Sequence, residues 1–181
     1  MTITSENIIA FWFQEIDSKM WFRKDGHFDA QLKEKYSVLH QSAAACELWA
    51  WRATPHGRLA EIIVLDQFSR NIFRDTKESF AQDSLALVLA QEAVSLGIDK
   101  GLATQEKSFL YMPFMHSESA LIHAEAVKLF SVPGLEGGLA FELRHKTIID
   151  RFGRYPHRNT ILGRASTAEE LNFLKEAGSS F

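Results

Sequence analysis

The pattern that most constrains this chain is the spacing of its apolar residues, which recur at helical intervals along its length. Ile8, Ile9, Trp12 and Phe13 fall on one side of a first segment that Ser5 can cap. Phe28, Leu32, Tyr36 (or Val38) and Leu39 repeat the spacing from about Phe28. Thr54 followed by Pro55 reads as a helix start, a capping hydroxyl and then a proline whose missing N–H costs nothing there. That helix carries R-L-A-E-I-I-V-L-D-Q-F on to about Asn71. The next, S-F-A-Q-D-S-L-A-L-V-L-A-Q-E-A-V-S-L-G, ends at Gly97. Thr104 starts another, which Pro113 interrupts, and a further helix follows from about Ser117 to Phe130. V-P-G at 132–134 is a break. A long helix covers about Glu136 to Phe152 and stops at Gly153, and Thr167 with Glu170 forms a capping box for the last one.

No stretch alternates as a strand would, and Asp25-Gly26 sits between helical patterns, not between apolar strand runs. The expected fold is therefore all-α, about seven to nine helices packed as antiparallel hairpins. Its 181 residues suit one domain, read here as 1–181, and a chain of this size buries roughly 70% of its unfolded surface. A hydrophobic fraction of 46% excludes a disordered chain.

The formal net charge of −3 argues against a general nucleic-acid binder. No apolar run approaches the ~20 residues of a membrane span. M-T-I-T-S-E-N has no basic leader or signal-peptide core, so a soluble cytoplasmic protein is expected. Cys46 is the only cysteine; set in A-A-A-C-E-L, it reads as a small buried hydrophobe. Trp12, Trp21, Trp49 and Trp51 read as core. Nothing in the residues speaks to oligomeric state or to a cofactor.

Three polar clusters stand out. In D-Q-F-S-R-N, Asp66 and Arg70 are spaced i, i+4, as are Gln67 and Asn71, so each pair shares a helix face. In Y-M-P-F-M-H-S-E, His116 and Glu118 stand where a helix starts; the spacing to His123 matches no metalloprotease motif, and no metal site is expected. In R-F-G-R-Y-P-H-R-N-T-I-L-G-R, residues 151–164, four arginines gather without an acid. Arg151, Arg154 and Arg158 are forks suited to carboxylate or phosphate, His157 titrates near neutrality, and Asn159 adds an uncharged donor. Either internal acids such as Asp66, Asp150 and Glu118 answer these arginines, or an anion does. The first and third clusters also echo each other: both contain D-x-F-[SG]-R, as though they were equivalent corners of a repeat.

Taken together, A-F-W-F, W-F-R-K-D, P-H-G-R-L-A, L-D-Q-F-S-R-N-I-F-R, Y-M-P-F-M-H-S-E, I-I-D-R-F-G-R-Y-P-H-R-N and L-G-R-A-S-T-A-E-E resemble the bacterial domain-of-unknown-function family 924 over nearly the whole chain. The resemblance implies an all-α fold similar to tetratricopeptide-repeat hairpins, and no reaction, substrate or cofactor. The family's recurring polar motifs fall on Arg58, Asp66, Gln67, Arg70, Asn71, His116, Glu118, Arg151, Arg154, His157, Arg158 and Asn159. Ser69 stands where similar members often carry proline.

Two functions follow as expectations. In the first, Asp66, Gln67, Arg70, Asn71, Arg151, Arg154, Arg158 and Asn159 surround a small carboxylate or phosphate. If chemistry occurs there, His157 or His116 is the acid–base, oriented by Glu118 or Asp66. In the second, a helical-repeat groove clamps a peptide carboxylate, and the Arg/Asp clusters are a structural ion-pair network.

Overall fold

A computed structural model describes residues 3–180, and among these there is no strand. The helices are α1 (Ser5–Ala10), α2 (Gly26–Ala44), α3 (Pro55–Ile63), α4 (Ser69–Ile72), α5 (Asp83–Ser95), α6 (Thr104–Met115), α7 (Ala120–Phe130), α8 (Glu136–Phe152) and α9 (Ala168–Phe173). α3 and α4 form one continuous rod, joined by a wider π turn over Val64–Phe68. A second π turn, Phe11–Glu15, prolongs α1.

The α3–α4 rod is the axis of the molecule. Thr54 caps it, accepting the Gly57 N–H at 3.0 Å, and Pro55 takes the first turn. Every residue from Leu59 to Ser69 is buried, because α1, α2, α5 and α6 all pack against the rod. A helix buried on every side has little need of an amphipathic stripe. That is why I-I-V-L can precede D-Q-F without a polar face. α7 packs on both α6 and α8. A smaller apolar cluster of Ile148, Ile149 and Tyr155, with Phe152 and Phe173 beside it, anchors the segment after α8.

Five local expectations change. Pro113 does not end its helix: α6 continues to Met115, with the proline buried two residues from the end. His116 is therefore the C-terminal cap of α6 and not a helix start, and α7 begins only at Ala120. α1 is capped by Thr4, one residue before Ser5, with Asn7 completing a capping box. Cys46 is exposed, with φ of 61° just beyond α2, where the chain turns outward instead of entering the core. Trp12 is fully buried, but Trp49 is 69% exposed on a short turn outside the packed helices.

Candidate functional site

The π turn places Asp66 and Gln67 side by side in the interior of the rod, 1% and 5% exposed. π turns within α-helices recur at functional sites. A buried carboxylate needs partners on both oxygens. Asp66 has them: His116 Nδ1 lies 2.7 Å from Oδ1, Arg70 Nη1 lies 3.1 Å from Oδ1, and Gln67 Nε2 donates to Oδ2 at 2.6 Å. Burial by itself would raise the Asp66 pKa, but Arg70 and His116 outweigh it and hold the group far below the usual carboxylate range. Asp66 is thus an anion, and an anion on Nδ1 fixes the proton there.

His116 is consequently an imidazole with its Nδ1–H given to Asp66 and its Nε2 left as an acceptor. Burial, with Arg70 nearby, lowers its pKa, while Asp66 pulls the other way. It stays neutral at pH 7. An oriented neutral histidine backed by a buried carboxylate is the arrangement a general base needs.

Arg70 donates to the Asp66 carbonyl oxygen at 2.8 Å and reaches across to Asp83, at the start of α5, at 3.0 Å. Arg158 meets the same carboxylate, Nη1 to Asp83 Oδ2 at 3.2 Å, the oxygen that Arg70 Nη2 also reaches at 3.2 Å. That is the one hydrogen bond the Arg158 side chain makes among the described residues, although its guanidinium has five N–H groups. Arg158 is only 6% exposed, and its buried Nε has no acceptor. The rings of Tyr155 and Phe80 cover its faces at 4.5 and 4.6 Å. Burial pushes its pKa down, Arg70 adds to that, and Asp83 only partly compensates. His116, Asp83, Arg158, Lys77, Phe80, Ser84, Ser117 and Glu118 line one cleft of about 290 Å³.

Part of the expected set therefore converges: His116, Glu118 and Arg158 line this cleft, and Asp66, with Arg70 and Gln67 on it, stands behind His116. The remainder goes elsewhere. Asn71 faces α2, donating to Asp29 at 2.8 Å beside Arg74. Arg151 pairs with Glu169 at 2.8 Å, and Arg154 grips Glu170 through two bonds of 2.6 and 2.8 Å. Both arginines tie α8 to α9, so the expectation that they face the same ligand as Arg70 is not met. Asn159 is buried in its own loop, accepting from Arg164 Nε and donating to Ser166. Glu118 receives both ends of the Arg164 fork, at 2.6 and 2.9 Å, and the Tyr155 N–H at 2.7 Å. Glu118 therefore orients no histidine. His157 stacks near the Tyr155 ring, its pKa lowered to about 4, mainly by burial and then by Arg158.

The echo of D-x-F-[SG]-R does not mark equivalent corners. Asp66 and Arg70 meet on one rod, whereas Asp150 pairs with Lys146 and Arg154 with Glu170. Gly153, left-handed with φ of 66°, ends α8 and swings Arg154 away from the helix face that Asp150 shares. His116 and His123 also part company: His123 is fully buried against Glu142, 2.7 Å away.

Asp83, Lys77 and Phe80 are the members that sequence reasoning missed. Asp83 opens α5 with no motif around it, and its partners are 13 and 75 residues away. An unremarkable first-turn acid gives no signal of that kind.

Two comparisons bear on this arrangement. The family model described as bacterial protein of unknown function (DUF924) matches residues 8–178. A solved structure of a protein of unknown function from Agrobacterium tumefaciens is 37% identical, with a TM-score of 0.89, and covers 96% of this chain and 97% of that one. Comparison with curated proteins gives no match.

Proposed function

We propose, for a chain that belongs to the bacterial family of unknown function DUF924, that the cleft between Asp83, His116 and Arg158 binds a small anionic ligand, a carboxylate or a phosphate. The carrying observation is the state of Arg158: a guanidinium 6% exposed, with one hydrogen bond to a carboxylate it shares with Arg70. A buried cation so sparsely answered is costly. An anion beside it, with exposed Lys77 at the rim, would supply the missing acceptors. The Asp66–His116 pair gives the same cleft a proton acceptor, so chemistry on the bound anion is part of this reading, with His116 as base and Asp66 as its orienting partner. His157 and Glu118 drop to supporting positions.

A helical-hairpin module gripping a peptide carboxylate is the second reading. It draws support from the consecutive packing of α5 on α6, α6 on α7 and α7 on α8, which is the sense in which the fold would be tetratricopeptide-like. Among the described residues no helix is long and apolar enough to cross a membrane. A lone exposed Cys46 suits a reducing compartment, which supports a cytoplasmic location.

Thermal denaturation with and without phosphate, acetate and citrate tests the anion reading. Saturation at ~100 times the dissociation constant stabilises the fold by ~2.7 kcal/mol, and Arg158→Ala removes that gain. No shift with any anion in the wild type overturns it.

A further inference from the structure

An anion entering the cleft meets two kinds of wall. Arg158, Lys77 and the hydroxyls of Ser84 and Ser117 can donate hydrogen bonds, and any oxyanion satisfies them. His116 cannot. Its Nδ1–H is committed to the buried Asp66 carboxylate at 2.7 Å, so Nε2 presents a lone pair, and no partner among the described residues occupies it. Two carboxylates add negative charge to the lining: Asp83, 17% exposed and bonded to Arg70 and Arg158, and Glu118, held by Arg164. An anion without a hydrogen of its own would bring lone pairs against Nε2 and charge against Asp83. An anion with one hydrogen could donate it.

Resting on the anion reading above, we propose that the cleft selects an oxyanion that carries its own hydrogen, a singly protonated phosphate or phosphate monoester, and rejects a fully deprotonated tetrahedral anion such as sulfate. Four donor side chains suit the several oxygens of a phosphate better than the two of a carboxylate. The second ionisation of a phosphate monoester lies near pH 6, so its hydrogen-bearing form is present close to neutrality. Acceptors that a ligand leaves unanswered discriminate more strongly than added contacts do. The Asp66–His116 pair is in this view the specificity element, and Arg158 supplies the affinity.

Isothermal titration of the full chain with inorganic phosphate and with sulfate, at pH 6.5 and matched ionic strength, tests this. Phosphate is expected to bind at least ten-fold more tightly. In His116→Gln, whose side-chain amide can donate to sulfate, the ratio is expected to fall towards one while phosphate still binds. Equal binding of the two anions by the wild type overturns the selection and leaves the anion site standing. Binding of neither overturns both. Undiminished selectivity in the variant overturns the role given to His116. The wild-type pair of titrations decides the selection whether or not the variant folds.

Discussion

Asp66 and His116 lie 50 residues apart in the chain, and their side chains meet at 2.7 Å in the interior of the protein. Asp66 also sits against Arg70, so one buried carboxylate holds a cation and an imidazole in fixed positions. Removing the charge strands both. Asp66→Asn is expected to destabilise the fold by about 3–5 kcal/mol, the cost of leaving a buried partner uncompensated. Urea denaturation followed by circular dichroism measures it. A loss below ~1 kcal/mol would mean that Arg70 finds other acceptors.

Stability is expected to fall as the pH drops from 7 towards 4. His145 and His157 are held by burial at about 3 and about 4, against an ordinary value of 6.5. Below pH 6.5 the unfolded chain takes up protons that the folded chain refuses, so unfolding gains ground as acidity rises. The loss runs from pH 6.5 down through the two folded values. Asp66 and Glu118, whose pKa values are depressed, add a further loss as the pH falls below the ordinary carboxylate range. Denaturation midpoints across this range check the sign: a midpoint constant from pH 7 to 5 contradicts it.

The arginines at 151–164 should separate by role. Arg154 holds Glu170, whose carboxylate also accepts the Thr167 N–H at 2.7 Å and completes the cap of α9. Glu170→Ala is expected to cost about 1–2 kcal/mol by breaking the capping box and a charge-assisted bond, and to leave phosphate binding unchanged. Arg158→Ala is expected to abolish phosphate binding. Titration calorimetry and thermal melts of the two variants, compared side by side, give both readouts.

Gly57 lies inside the first turn of the central rod, where alanine would normally favour a helix by ~1 kcal/mol. A Cβ there would stand 1.9 Å from the Trp51 carbonyl oxygen, which belongs to the backbone and cannot step aside. Gly57→Ala is therefore expected to destabilise by about 3 kcal/mol, the clash exceeding the propensity gain. A melting temperature equal to or above that of the wild type would show that the turn at 49–53 yields instead.

Much of this architecture was legible along the chain because helices write their own punctuation. Thr54-Pro55, Gly97, Gly153 and the box at Thr167 and Glu170 each act on neighbours a few residues away. Pro113 misled because a proline removes one bond to the carbonyl four residues back without having to end a helix whose packing holds it, and Pro113 is buried inside α6. Cys46 misled because an alanine-rich context says nothing about a left-handed turn just beyond the helix end. In the site, the chemistry of Asp66, Arg70, His116 and Arg158 could be read from residue type, but not which carboxylate answers which arginine.

What the sequence determined by itself is the set of helices and the presence of more arginine than its near neighbours could neutralise. The tertiary structure alone decided the pairing. It sent Arg151 and Arg154 to α9, Arg164 to Glu118 and Asn71 to α2, and left Arg158 sharing one Asp83 oxygen with Arg70. Caps and periodicity depend on contacts within about one turn of helix, and a single segment contains them. An ion pair over 46 or 75 residues depends on how whole helices cross, which no segment contains.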